Sequence, residues 1–227
     1  PSLRHWMGVD DLGRDVLSRM IYGTRTSISI GFLSVLIALV IGGTLGVIAG
    51  YFKGVTDAVI MRICDVLLSI PSILLAIAIV ASFGGGMTNL LIAIAIGNIP
   101  IYARIIRSSV LGLTQRQFIE ASHALGSSQF RIIVKHIIPN TLSPIIVQVS
   151  MGIAGAILSA AGLGFIGLGL EASVAEWGLM LSSGRGFMRT HMYLTIFPGL
   201  AIMLSILAFN MLGDGIRDAL DPKLRER

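Results

Sequence analysis

Charge is absent from four long stretches of this chain, and that absence limits the possible folds more than any other feature. No Asp, Glu, Lys or Arg occurs in the 27 residues from Thr26 to Phe52 or in the 38 from Val66 to Ala103. Two more uncharged runs extend from Ile137 to Leu170 and from Met192 to Gly213. A helix needs about 20 apolar residues to cross a hydrocarbon core about 30 Å thick. The first run is therefore one span with some tilt. The second would overshoot the bilayer as a single helix, and Gly84-Gly85-Gly86 divides it into two spans joined by a turn. The chain reads as an all-α integral membrane protein with about five transmembrane helices. Composition agrees: 54% of residues are hydrophobic and 13% charged, against about 25% charged in soluble domains, and the mean hydropathy is +0.86.

Several function classes fall away at once. Cys64 is the sole cysteine, so no internal disulfide forms. His5, His123, His136 and His191 show no metal-ligand spacing on a helix face, and no metal site is expected. The net charge is +5, but the basic residues lie between apolar runs. That placement is explained by membrane topology, with lipid rather than nucleic acid as the partner. With the first span entering from outside, eleven of the lysines and arginines fall on cytoplasmic segments and six on outer ones. This bias places the N-terminus outside and the C-terminus in the cytoplasm. An outer N-terminus without a preceding signal leads to the expectation of one more helix upstream of Pro1.

Small residues recur four apart at Gly42, Gly46 and Gly50, and again at Gly152, Ala156, Ala160 and Gly164. Such faces let helix backbones approach closely in lipid, so packing within one subunit is expected. Pro71, Pro100, Pro139, Pro144 and Pro198 punctuate the apolar regions and read as tolerated kinks. Asp65, three residues after Arg62, reads as a local ion pair near a membrane boundary. Glu171 and Glu176 lie on an outer segment beside Trp177, which reads as an interfacial tryptophan. The two could act as paired acids, but nothing in the sequence supplies the enclosed pocket that such chemistry needs.

The longest cytoplasmic segment runs LTQRQFIEASHALGSSQFRIIVKHIIPN, from Leu113 to Asn140. Thr114 followed by Gln117 forms a capping-box pattern, predicting a helix that starts near Gln115. Phe118, Ile119, Ser122 and Leu125 fall on one side of it. Gly126 suits the position that ends the helix, and Ser127 or Ser128 can cap the next one. The second helix should pass Arg131 and Lys135 and reach Pro139 before meeting the membrane.

Glu120-Ala121-Ser122, Gly126 and Ile137-Ile138-Pro139 resemble the EAA loop of ABC importer permeases. That family pattern has Ala where Ser122 stands, and Ile and Leu at the positions of His136 and Ile138. Likeness continues along nearly the whole chain. It includes Gly8 to Arg19 (with Val9 where Thr is usual), Gly50-Tyr51-Phe52, and Met61 to Asp65. It also includes Gly164 to Gly169, Glu176-Trp177-Gly178 and Gly213 to Asp218. Together these segments resemble the second permease of dipeptide, oligopeptide and glutathione importers, with nickel importers as near relatives.

The resemblance implies an ABC type I importer permease fold with six spans, the first missing from this chain. It implies an extracytoplasmic segment at 1–23, a transmembrane domain at 24–213 with its coupling loop at 113–140, and a cytoplasmic tail at 214–227. It also implies a multi-pass protein of a bacterial or archaeal cell membrane. The implied partners are a second permease subunit, two cytoplasmic ATPase subunits and an extracytoplasmic substrate-binding protein. The loop around Glu120, Ala121, Ser122, Gly126 and Pro139 would dock on an ATPase subunit. Glu120 would cap or brace that loop, and Gly126 would supply its turn.

Catalysis is not expected of this chain. Its lysines are Lys53, Lys135 and Lys223, and none sits in a glycine-rich loop followed by Ser or Thr. ATP and Mg would therefore belong to a partner subunit, with no cofactor here. Gly162-Leu163-Gly164-Phe165-Ile166-Gly167 matches a dinucleotide fingerprint in form, but it closes a membrane span and lacks the strand before it. Three alternatives stay open: a nickel importer permease, an ion-coupled secondary transporter, and a structural anchor. The spans offer a secondary transporter little mid-membrane polarity beyond Asn98 and Asn210.

Overall fold

A computed structural model describes residues 1–220. The charges expected on the tail at Lys223, Arg225 and Arg227 lie outside the described residues. The chain is helical almost throughout, with a single β-bridge between Val9 and Asp15 among the described residues. Its helices are α1 (Val16–Phe52), α2 (Gly54–Leu68), α3 (Ser72–Phe83), α4 (Met87–Leu113), α5 (Gln117–Ala124), α6 (Gln129–Ile132), α7 (Ile138–Phe165), α8 (Trp177–Gly184) and α9 (Tyr193–Leu220).

Among the described residues, four helical stretches are long and apolar enough to cross a membrane: α1, α4, the α6–α7 unit and α9. The fifth expected span is broken. α2 and α3 meet at 83° across Ser69-Ile70-Pro71. The residue before a proline is pushed out of helical geometry, which accounts for the break at Ile70. α3 alone has 12 residues, about 18 Å at 1.5 Å per residue, too short for a core of about 30 Å. The glycine turn falls where expected, since α3 ends at Phe83 and α4 begins at Met87. Gly84 and Gly86 adopt φ of 89° and 126°, open to glycine and strained for other residues.

α1 starts earlier than its uncharged run. The Asp15 carboxylate caps it by accepting the Ser18 N–H at 2.7 Å. Six of its thirteen buried residues are glycine, and its large side chains Phe32, Leu36, Val40 and Ile41 face outward. Small residues inward and large apolar ones outward are what helix association in lipid requires. A Cβ on Gly46 would lie 2.5 Å from the Ala103 carbonyl oxygen, and one on Gly50 2.9 Å from that of Arg107. A Cβ on Gly42 would collide with the Ile99 carbonyl. The glycine stripe is thus the α1–α4 seam within this subunit. Ala156 and Ala160 of the second stripe are each 1% exposed and belong to the same core as Tyr102, Ile30 and Leu163.

One end of the bundle gathers residues 1–15, the glycine turn and residues 166–192. The Gly86 N–H donates to the Gly169 carbonyl at 3.2 Å, and the Tyr193 hydroxyl donates to the Val9 carbonyl at 2.9 Å. The opposite end carries the C-terminus of α1 together with α5 and α6.

Candidate functional site

The segment from Leu113 to Asn140 forms a helix, a glycine turn and a second helix, as its sequence predicts, with one correction and one refinement. First, the capping box does not form. Thr114 still belongs to the last turn of α4, and its hydroxyl donates back to the Leu111 carbonyl at 3.0 Å. α5 therefore begins at Gln117, after an extended Arg116 that makes no side-chain cap. Second, the side of α5 that carries Phe118, Ile119, Ser122 and Leu125 is buried only in part. Only Ile119 is buried, against Ile106, Val110, Ile132 and Ile137. Phe118 is exposed, as is Leu125 at 86%.

The turn after α5 is a Schellman motif. Gly126 has φ of 75°. Its N–H donates to the His123 carbonyl at 2.9 Å, and the Ser127 N–H reaches back to the Ser122 carbonyl at 3.1 Å. Ser128, not Ser127, caps the next helix by accepting the Arg131 N–H at 3.4 Å. That helix widens into a π turn over Ile133–Ile137, where the Ile138 N–H bonds the Ile133 carbonyl. Pro139 follows at the start of α7. Proline cannot donate to the carbonyl four residues back and its ring crowds that group, so the widened turn fits the proline without ending the helix.

Within this loop the candidate residues stand as follows. Glu120 and Ala121 are exposed. The Glu120 carboxylate makes no hydrogen bond or ion pair among the described residues. The Ser122 hydroxyl is satisfied by the Phe118 carbonyl at 2.8 Å. Phe130 and Val134 join Phe118 and Leu125 as exposed apolar side chains, at 76% and 46%, and Arg131 is exposed as well. α5 touches α1 through Tyr51, whose ring stacks on His123 at 6.4 Å between centroids. These two residues also line a cavity of about 320 Å³ with Lys53, Thr114 and Gln129.

Two ion pairs tie α2 to α4, the helix that leads into α5. Arg107 grips Asp57 with both ends of its guanidinium, the Nη2–Oδ2 contact being 2.5 Å. Asp65 pairs with Arg104 at 2.5 Å. The expected local pairing of Asp65 with Arg62 is therefore overturned: the partner lies 39 positions away, on a helix running antiparallel beside it. Asp57 was not singled out from sequence. No local sequence signal marks it, because its partner Arg107 lies 50 positions away on another helix.

At the other end, Glu171 is exposed and Glu176 is 2% exposed, so the two do not act as paired acids. Glu176 caps α8, accepting the Gly178 and Leu179 N–H groups at 2.8 Å each and the Ser27 hydroxyl of α1 at 3.1 Å. Burial pushes its carboxyl above the usual range, opposed by those three donors. The Trp177 indole N–H donates to the Met20 carbonyl at 3.2 Å. A Cβ on Gly178 would come within 2.6 Å of the Ala161 backbone. Gly162 to Gly167 closes α7 with a second Schellman turn, in which Gly167 has φ of 81° and the Leu168 N–H bonds the Leu163 carbonyl at 2.9 Å. A helix C-terminus directs carbonyls at its surroundings, the reverse of a phosphate cradle, which rules out the dinucleotide reading.

Comparison with known proteins adds sequence and fold relationships. Residues 42–226 match the family described as binding-protein-dependent transport system inner membrane component. The dipeptide transport system permease protein DppC of Alkalihalophilus pseudofirmus is 53% identical over 225 residues, 99% of this chain and 74% of that protein. The glutathione transport system permease protein GsiD of Pectobacterium atrosepticum is 51% identical, over 99% of this chain and 75% of that protein. Among solved structures, one of the MetNI methionine ABC transporter in an inward-facing conformation superposes with a TM-score of 0.72. It has 18% identity and covers 90% of this chain and 97% of its own. An amino acid ABC transporter with histidines superposes at 0.67, also at 18% identity, over 90% of this chain and 95% of its own.

Proposed function

The chain belongs to the binding-protein-dependent transport system inner membrane components, as a multi-pass permease of the dipeptide and glutathione importer branch, and from that premise we propose that it forms the translocation path of an ATP-driven importer for short peptides. Peptide cargo rests on the names carried by relatives that are 53% and 51% identical over 225 aligned residues. The observation that carries the coupling role is the α5–α6 unit at one end of the bundle, with an exposed glutamate and Phe118 on α5, and exposed Leu125 and Phe130 in the turn and on α6.

In this reading the α5 end faces the cytoplasm, together with the C-terminus. Two ATPase subunits lie beneath the permease pair formed by this chain and a second permease subunit. ATP and its Mg bind on those ATPases. A binding protein delivers peptide to the opposite end, at residues 1–15 and 166–192. The segment from Glu120 to Pro139 docks in an ATPase cleft. Its apolar side chains lose water there and Glu120 gains a polar partner, since its carboxylate has none among the described residues. When the ATPases close, α5 moves as a rigid piece. Its anchor in the bundle is Ile119, wedged against Ile106 and Val110 of α4, so the displacement reaches a spanning helix directly. Alternating access then follows from rocking of the spans.

The test uses the assembled importer in proteoliposomes with its binding protein and a labelled dipeptide. Gly126→Val forces a β-branched residue into left-handed geometry and should reduce peptide-stimulated ATP hydrolysis and uptake together, with the complex still assembled. Unchanged hydrolysis and uptake in that variant would remove the coupling role. Uptake by this chain without any ATPase subunit would replace the whole reading with an ion-coupled one.

A further inference from the structure

A cavity of about 200 Å³ opens between α3, α4 and α7, lined by Ser72, Ile73, Ala76, Ile94, Asn98, Gly155 and Ser159. Its depth follows from helix geometry. Asn98 lies eleven residues into α4, and Ser72 lies eleven residues before Phe83, where α3 ends. Both are therefore about 16 Å from the glycine turn, close to the middle of a core about 30 Å thick. A Cβ on the neighbouring Gly97 would sit 3.2 Å from the Ser72 Cβ, so the two helices meet closely here.

Three properties separate this cavity from the lipid-facing surface. Polar side chains reach it from three different helices, whereas the outward face of α1 at this level, where Gly42 meets Ile99, is Val40 and Ile41. The Asn98 amide donates to the Ile94 carbonyl at 2.8 Å, which leaves its own carbonyl oxygen as an acceptor. The cavity also adjoins the break at Ser69-Ile70-Pro71, and the first turn of α3 has no side-chain cap. Non-helical backbone at membrane depth persists where it is buried in protein or lines a polar cavity. A helix start left open there presents N–H donors.

We propose that this cavity is where the permease contacts its cargo, and that it takes the uncharged amides and the terminal carboxylate of a short peptide main chain. The proposal rests on the reading of the chain as an importer permease. The lining supplies one amide, two hydroxyls and the open N–H groups of α3, which match peptide carbonyls, amides and a carboxylate. Its side chains include no acid, histidine or cysteine, so a bare metal cation finds no ligand set here.

Gly155 provides the test, because a Cβ at that position meets nothing within 4 Å. Gly155→Phe should fill the cavity from an open position. In the complete importer, assembly should persist and dipeptide uptake should fall at least tenfold. Cys64 is 1% exposed, and Cys64→Ser removes the cysteine found within residues 1–227. In that background Ser159→Cys should react with a membrane-impermeant methanethiosulfonate reagent, at a rate that changes with ATP and falls several-fold with saturating dipeptide. Leu36→Cys, on the lipid face, should not react. Uptake unchanged in Gly155→Phe, or Ser159→Cys unreactive in every nucleotide state, would overturn the proposal while leaving the importer reading intact. An unsubstituted complex that imports no peptide would overturn both.

Discussion

Glu176 and Glu120 sit at opposite ends of the bundle, and their surroundings differ in nearly every respect. Glu176 is 2% exposed and accepts hydrogen bonds from α8 and from Ser27, 149 positions away. Around it the N-terminal segment, α1, α7 and α8 are cross-linked by side chains. Arg19 donates to the Val174 carbonyl, Trp177 to Met20, and Tyr193 to Val9. Glu120 stands in solvent, on a helix held to the bundle mainly by one buried isoleucine and a stacked ring. One end satisfies its polar groups within the chain. The other leaves apolar and charged groups for a partner to satisfy, and the permease reading assigns that partner to the ATPase.

The strongest way to break this comparison is to remove each glutamate. Glu176→Ala leaves two buried N–H groups and a hydroxyl without their acceptor, which should cost about 3 kcal/mol. It should appear as a lower Tm of the solubilised complex. Glu120→Ala should change stability by less than about 0.5 kcal/mol, yet reduce peptide-stimulated ATP hydrolysis. Equal losses of stability from the two would mean that the ends are not built differently.

A smaller effect separates the glycines. Gly178→Ala drives a Cβ into the Ala161 backbone at 2.6 Å and should cost about 2 kcal/mol. Gly126→Ala meets nothing within 4 Å but must hold a φ of 75°, costing about 1 kcal/mol. Thermal unfolding of both variants checks the order.

The same contrast explains what could be read from the sequence. Gly126 was legible because helix termination is local: the sterics of one residue select it. The α3–α4 turn at Gly84-Gly85-Gly86 and the α1 stripe were legible for similar reasons. Thr114 misled because a threonine hydroxyl can bond forward as a cap or backward to its own helix, and here the preceding turn of α4 was already formed. Asp65 misled because Arg62 is near in sequence while Arg104 is near in space. The break at Pro71 was visible as a proline, but the 83° bend depends on how α3 packs against α4 and α7. Glu176 looked like one of two outer acids, and nothing local distinguishes it from the exposed Glu171. Its burial is decided by Ser27 and Gly164, contributed by two other helices.

The smallest predicted effect concerns acid stability at the cross-linked end. The Ser18 N–H, and after it the His5 ring at 2.9 Å, hold the Asp15 carboxyl down to about 2 from 3.8. A carboxylate whose folded value lies below its unfolded one stabilises the fold above the unfolded value. It loses that contribution as pH falls through the folded one. The loss from Asp15 therefore falls between about pH 4 and pH 2. Asp15→Asn keeps a side-chain oxygen for the helix cap and removes the titrating group. The Tm of the solubilised complex should then drop less across that window in the variant than in the unsubstituted protein, the two curves running parallel above pH 5, where the Asp15 contribution is fully present, and converging toward pH 2. Parallel curves through the window would show that the Asp15 cap and its His5 contact add no acid-sensitive stability, and that this end relies on Glu176 and its three donors instead.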